Sequence, residues 1–170
     1  LPEVYELAYT TNDGRALDPY TTEGFGGEFM ENIYDAATGR GVLKFAGAIT
    51  TIPEQAFAIC ENLTWIDLPE GITTIGASAF TGCTALEELT IPSTLTSLGN
   101  EAFKNCSLLT SINIPKNVTV IDNETFKGCS GLASITIPDG VTAIKSLAFE
   151  DCSNLTSVVI PDSVISIGYS

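Results

Sequence analysis

From Leu63 onward, apolar and polar positions follow an order that returns every 23 residues. At the start of a unit, Leu63, Ile66 and Leu68 are interleaved with Trp65 and Asp67, close to the period of 2 expected of a strand with one buried side. Proline then ends the strand, because it has no amide to donate to a neighbour. Ile72 and Ile75, separated by threonines, predict a second and shorter extended segment. Gly76, and likewise Gly99 and Gly168, is expected to permit a turn. The piece from Ala77 to Cys83 sets Ala79 and Phe80 three to four residues before the cysteine, a spacing that suits one helical turn. Gly82, Asn105, Gly128 and Asp151 stand just before their cysteines, where a left-handed residue ends that turn at low cost.

Whole columns keep the same step. Cys60, Cys83, Cys106, Cys129 and Cys152 form one, and Phe57, Phe80, Phe103, Phe126 and Phe149 lie three positions before them. Pro69, Pro92, Pro115, Pro138 and Pro161 form a third, and Leu63, Leu86, Leu109, Leu132 and Leu155 a fourth. Units 63–85, 86–108, 109–131 and 132–154 are complete, a degenerate one precedes them from about residue 40, and a last one stops at Ser170. The division expected is residues 1–41 and a repeat region, 42–170, of about five and a half units. A fixed period of this length marks a solenoid, since one unit cannot bury its apolar side alone whereas stacked units bury it against each other. The leucines, isoleucines, phenylalanines and cysteines then become ladders through one elongated core. Adjacent cysteines would have Cα atoms about 4.8 Å apart, but parallel Cβ vectors hold their Cβ atoms beyond the disulfide range, so free, buried thiols are expected.

Residues 1–41 hold no such signature but do contain Tyr5, Tyr9, Tyr20, Phe25, Phe29 and Tyr34. The end coil of a solenoid exposes apolar surface and unpaired strand groups, so a small β-rich N-terminal cap is expected here. Val4 to Thr10 alternates as a strand, and Asn12-Asp13-Gly14 predicts a hairpin into Arg15 to Leu17. A second pair, Phe29 to Asp35 and Val42 to Phe45, is expected to merge with the first coil. An aromatic carbohydrate-binding patch is the functional alternative for this segment.

Composition narrows the chemistry. Acidic residues number 21 against 7 basic ones, for a net charge of −14, which excludes a phosphate-tracking surface and makes nucleic acid an unsuitable partner. The absence of histidine removes Ser-His-Asp and Cys-His nucleophile systems and His-containing metal sites. No Cys-x-x-Cys spacing and no Asp-x-Asp-x-Asp-Gly loop is present, so no cofactor or metal is expected. No apolar run reaches the roughly 20 residues of a membrane-spanning helix. A start at Leu1 suggests processing.

The unit resembles the BspA-type, or Treponema-type, leucine-rich repeat of bacterial surface proteins. The run Leu132-Ala-Ser-Ile-Thr-Ile-Pro-Asp-Gly-Val-Thr-Ala-Ile, followed by Ala148, Phe149 and Cys152, carries the likeness, which covers the chain from about Val42. Thr125 in place of Ala, Asp122 and Lys145 in place of Gly, and Ala46 in place of Pro are departures that affect local turns. The resemblance implies a right-handed leucine-rich repeat solenoid with a parallel β-strand ladder, displayed on or released from bacterial cells. It also implies adhesion to host extracellular proteins, glycans or neighbouring cells, with no catalytic motif.

A function would sit on side chains pointing out of the strand ladder. One outward column is expected to read Val42, Trp65, Glu88, Ser111, Ser134, Ser157, and the next Lys44, Asp67, Thr90, Asn113, Thr136, Val159. Trp65, the only tryptophan, stands out beside Asp67, Glu87 and Glu88, and these four are the candidate ligand-binding residues. Folding of the N-terminal segment over Trp65 is the plainer reading. A glycosidase pair among the three carboxylates is disfavoured, because a flat, wet ladder neither spaces nor buries two carboxyls. Asn62, Asn105, Asn117, Asn123 and Asn154 open Asn-x-Ser/Thr triplets, which units rich in these residues generate by composition. Two further expectations follow: Leu155, Val158, Ile160, Val164 and Ile167 would leave a C-terminal coil open to self-association, and the whole could serve as a spacer without its own ligand.

Overall fold

The structure is a computed structural model that describes residues 3–169; Leu1 and Ser170, on which the expectations of processing and of an unfinished repeat rest, lie outside the described residues. The strands in chain order are β1 (Val4–Thr11), β2 (Glu28–Asp35), β3 (Arg40–Ala46), β4 (Thr51–Ile52), β5 (Leu63–Asp67), β6 (Thr74–Ile75) and β7 (Glu88–Thr90). They continue as β8 (Ser97–Leu98), β9 (Ser111–Asn113), β10 (Val120–Ile121), β11 (Ser134–Thr136), β12 (Ala143–Ile144) and β13 (Ser166–Ile167). The coils make a β-solenoid of about 5 turns.

Each coil has three sides. The first is the main strand, paired in parallel and in register with its neighbour: Ile66 faces Leu89, and Ile112 faces Ile135. The second is the short extended segment, β4-β6-β8 and then β10-β12-β13, also parallel. Threonine hydroxyls tie that side together, since Thr73 Oγ1 donates to the Thr50 carbonyl, Thr96 to Thr73 and Thr142 to Thr119. Leu63, Ile66, Leu68, Ile72 and Ile75 all point inward and are buried.

The third side departs from the helical turn expected of it. Among the described residues there is no helix; the segment is a chain of β-turns. Alternate amides close turns inside the coil, as Ala79 N to Gly76 O, Thr81 N to Ser78 O and Cys83 N to Phe80 O, while the amides between them reach the next coil, as Ser78 N to Asn100 O, Phe80 N to Ala102 O and Gly82 N to Lys104 O. A helix would turn consecutive amides back into its own coil once its first turn is passed, whereas stacking here uses every second amide. Turning half of them outward needs positive φ at two places per coil. The residue before the cysteine is one, as expected (Asn105 at 61°, Asp151 at 60°), and the fifth before it is the other (Ser78, Glu101, Glu124, Leu147).

Gly76, Gly99 and Gly168 also have a different reason than the one read from the sequence, since none of them has positive φ. Their slot presses on the backbone of the preceding coil, where a Cβ on Gly99 would come within 2.5 Å of the Ala77 nitrogen. Asp122 and Lys145 fill this slot in successive coils and pair with each other at 3.0 Å.

Phe57, Phe80, Phe103, Phe126 and Phe149 stack with centroids 5.3–5.7 Å apart. All five cysteines are free and buried. Each thiol past the first donates to the carbonyl of a phenylalanine one coil back, as Cys83 Sγ to Phe57 O at 3.0 Å and Cys106 Sγ to Phe80 O at 3.2 Å. The column is therefore a set of buried donors as well as small apolar fillers.

The N-terminal segment is organised differently from the expectation. The Asn12-Asp13-Gly14 turn makes no hairpin, because residues 15–17 form no strand. Instead β1 runs antiparallel to β3 on one side and to β5 on the other, giving the order β2-β3-β1-β5-β7. The β2–β3 pair is the expected one. Its last strand does not enter the ladder: β1 stands between β3 and β5, so Val42 and Lys44 are not stacked on Trp65 and Asp67. Between β1 and β2 the chain lies along the first coil, with Tyr20 N donating to Ala56 O and Thr50 N to Phe25 O. Phe25 extends the aromatic column, 6.0 Å from Phe57 and 4.8 Å from Phe45. Tyr9 is buried, donates to Asn32 Oδ1 at 2.6 Å and accepts from Leu17 N.

Candidate functional site

The open side of the β2-β3-β1-β5-β7 sheet brings most of the candidate residues together. Period-2 alternation turns Tyr9, Leu43, Phe45 and Ile66 into the core, and therefore turns Ala8, Thr10, Arg40, Val42, Trp65 and Asp67 outward. One register row crosses the sheet as Asp35, Arg40, Thr10, Trp65 and Glu88. Trp65 is half-buried: β1 lies beside it rather than over it. Its indole forms one wall of an open groove of about 440 Å³, lined also by Ala8, Tyr9, Thr10, Arg40, Gly41 and Val42. The groove is open because Ala8 presents almost no side chain on the face that carries Trp65. Gly41 is fixed by the opposite face, where a Cβ would overlap the Tyr9 ring.

Glu88 stands directly across from Trp65 on the parallel neighbour, and Asp67 shares that face. Both are exposed, as is Glu87. Glu87 precedes the strand, its amide held by the Thr64 carbonyl, so it lies at the end of β7 rather than in the row. Thr10 and Thr64 share a hydroxyl hydrogen bond of 2.6 Å that fixes β1 against β5 next to the indole. Lys44, two outward rows away, pairs with Glu31 at 3.5 Å and Glu6 at 3.9 Å. The arrangement offers a partly sheltered aromatic wall, an apolar floor, and at one end acids that form no salt bridge among the described residues, with Arg40 at the other.

Ala8, Thr10 and Arg40 are the part of this site that sequence reasoning missed, and Val42, expected outward, lies across β1 from Trp65 rather than stacked on it. Their alternation was visible, but the intercalation of β1 that sets them beside Trp65 has no local signal. Beyond the second coil the outward row becomes Ser111 and Ser134, and the neighbouring row Asn113 and Thr136. Residues 157–159 form no strand. At that end Val159, Ile165, Ile167 and Tyr169 are exposed.

The comparisons with known proteins agree with this architecture. The family described as the BspA type leucine rich repeat region matches residues 50–170, in 6 copies, and the chain belongs to it. A leucine rich cell surface protein from Faecalibacterium prausnitzii is 34% identical over 73% of this chain, with a TM-score of 0.62. A Treponema pallidum leucine rich repeat protein is 26% identical over 71% of this chain and 67% of its own length, with a TM-score of 0.63. A leucine-rich repeat protein from Eubacterium ventriosum is 26% identical over 72% of this chain and 42% of that one, with a TM-score of 0.53. The chain spans only 30% of the length of the Faecalibacterium protein. No curated protein matches it. These likenesses indicate no enzyme family. Among the described residues no helix is long and apolar enough to cross a membrane.

Proposed function

We propose that the chain is a non-enzymatic recognition module of a bacterial cell-surface or secreted protein, binding a host or neighbouring-cell macromolecule through the outward strand face around Trp65. The observation that carries this reading is the groove itself: the one tryptophan is half-buried on the open face beside exposed Asp67, Glu87 and Glu88. Partly sheltered aromatics ringed by polar groups are the usual anchors of interfaces. Membership in a repeat family, and likeness to a protein described as a cell surface protein, support the setting. Residues 1–41 serve in this reading as a cap over the first coil. Of their aromatics Tyr9 and Phe25 are buried, Tyr5, Phe29 and Tyr34 half-buried, and Tyr20 exposed, which disfavours a sugar-binding platform in the segment.

The test is a binding screen of the purified chain against matrix proteins, mucins and glycans, beside a Trp65→Ala, Glu88→Lys double variant. Loss of binding in the variant supports the strand face as the site. Retention moves function to another surface, such as the exposed apolar C-terminal coil, and would be joined there by self-association. The Ser- and Thr-rich outward rows of the later coils favour a second reading, a spacer, which absence of all binding would support.

A further inference from the structure

We infer that the Trp65 groove seats an extended polypeptide segment, with a basic side chain over Trp65 between Asp67 and Glu88 and an acidic side chain about four residues away, at Arg40. This rests on the strand face being the recognition surface and adds the chemistry of what it recognises.

Charge complementarity selects this occupant. Of the seven basic residues, Lys44, Lys104, Lys127 and Lys145 pair with carboxylates, whereas Arg15, Arg40 and Lys116 form no salt bridge among the described residues, and of these three only Arg40 lines the groove. Among the described residues, Asp67, Glu87 and Glu88 form no salt bridge with a cation of this chain, and neither does Arg40. The groove is thus bipolar. At its β5 and β7 end, carboxylates flank an indole that can meet a Lys or Arg side chain on its face. At its β3 end, Arg40 has Asp35 as its cross-strand neighbour and still has donors free for a ligand carboxylate.

Along the row, Arg40 lies two strand spacings from Trp65 and three from Glu88, about 10 and 14 Å at the usual 4.8 Å each, so a basic group held between Trp65 and Glu88 is three to four residues of extended chain, at roughly 3.4 Å each, from Arg40. Between the charged ends, Ala8 and Val42 give the groove an apolar lining. A neutral oligosaccharide has no use for this polarity, and an acidic one would meet the net charge of −14. A basic segment would be steered by that same field.

The sole tryptophan lies in the site, so its fluorescence reports occupancy directly. The probe is a capped peptide, acetyl-Lys-Ala-Ser-Ala-Asp-amide, titrated beside a version with both charges replaced by alanine and beside neutral N-acetylglucosamine oligomers. Saturable binding of the charged peptide is expected, roughly tenfold weaker in Glu88→Lys and weakened in Arg40→Glu, with Arg40→Glu now preferring a peptide with lysine at both ends. Both substitutions are on exposed residues, and circular dichroism checks that the coils persist. Equal binding of the uncharged peptide, indifference to Glu88→Lys, preference for the oligosaccharide, or no saturable binding would each overturn the inference. If macromolecular binding is still lost in the Trp65→Ala, Glu88→Lys variant while the peptides fail, the recognition reading stands without this chemistry; if it survives there, both fall.

Discussion

In the coils each residue has a counterpart 23 positions away that performs the same task, whereas residues 3–46 perform those tasks with unrelated residues. Phe25 enters the phenylalanine column without any repeat around it. The Asp18 carbonyl takes the Cys60 thiol at 3.7 Å, the role that a phenylalanine carbonyl plays for every later cysteine. β1 pairs with the β5 edge antiparallel, where the next coils pair parallel. What a solenoid end demands is therefore a match to its slots and to its rows of hydrogen-bonding groups; a 23-residue period is one way to supply that match. The difference also sets what surrounds Trp65: on one side stands Glu88 of the next coil, and on the other β1 supplies Ala8 and Thr10 from outside the repeat.

The largest effect should come from breaking the part that repeats. Phe103 is fully buried and stacked on Phe80 and Phe126, with centroids 5.3 and 5.7 Å away. Phe103→Ala should cost about 3–5 kcal/mol in urea denaturation, and the half-buried Phe149 clearly less. Equal losses at the two positions would mean that the column is not the continuous core described here.

The thiol column grades the same comparison along the axis. Burial pushes Cys60 and Cys129 up to about 12 and Cys152 up to about 11, with Cys83 and Cys106 also raised. All are thus protonated and inert at neutral pH. Raised pKa values favour the folded state below the ordinary thiol value of 9.0, and that contribution is lost as pH rises through 11 to 12. In native protein at pH 8, labelling of Cys106 by a disulfide reagent should be roughly a hundredfold slower than that of Cys152, whose coil lies near the exposed C-terminal end. Uniform rates would show that the solenoid opens only as a whole.

The nonrepeating region has its own weak point. A Cβ on Gly41 would sit within 2.1–2.6 Å of two Tyr9 ring atoms and the phenol oxygen, so Gly41→Ala must displace the side chain and its bonds to Asn32 and Leu17. The expected loss is about 1–3 kcal/mol. It should appear first as faster hydrogen exchange in β1 and as changed Trp65 emission, with the later coils unaffected; simultaneous loosening of the coils would refute that independence.

How much of this the sequence disclosed follows from the same contrast. Columns at a fixed step announced the coils, the free thiols, both strand ladders and the register of Trp65 with Glu88, because each slot was sampled several times. The turn side was misread as helical because Ala79 and Phe80 before Cys83 fit a helical spacing equally well; only the second positive-φ position, at residues as unlike as Ser78, Glu101 and Leu147, separates the two, and no residue preference betrays it. Gly76 was assigned to a turn because glycine signals conformational freedom and close approach alike. In the N-terminal segment the strands were visible but not their order, since Asn12-Asp13-Gly14 looks the same whether the chain doubles back or, as here, runs on along the first coil. The groove inherits that blindness: Trp65 and its acids were legible from the repeat and Val42 was legible as outward, but its place across β1 was not, nor were Arg40, Ala8 and Thr10.

The smallest effect tests the left-handed positions themselves. Ile59 occupies the slot before Cys60 at φ 60°, is exposed, and is β-branched, the side-chain type least suited to that conformation. The same slot holds Gly82, Asn105, Gly128 and Asp151 in later coils. Relieving the left-handed penalty of an L-residue is worth roughly 1–2 kcal/mol, and the extra unfolded-state freedom of glycine takes back part of it, so Ile59→Gly should stabilise by about 1 kcal/mol. Asn105→Gly should be nearly neutral, because asparagine already tolerates the conformation. The two are compared by urea midpoint. A gain at Ile59 alone would tie the cost to the side chain rather than to the slot. A loss at Ile59 would show instead that its contact with Gly82, whose Cβ would lie 3.6 Å from Ile59 Cα and Cγ1, outweighs the backbone strain.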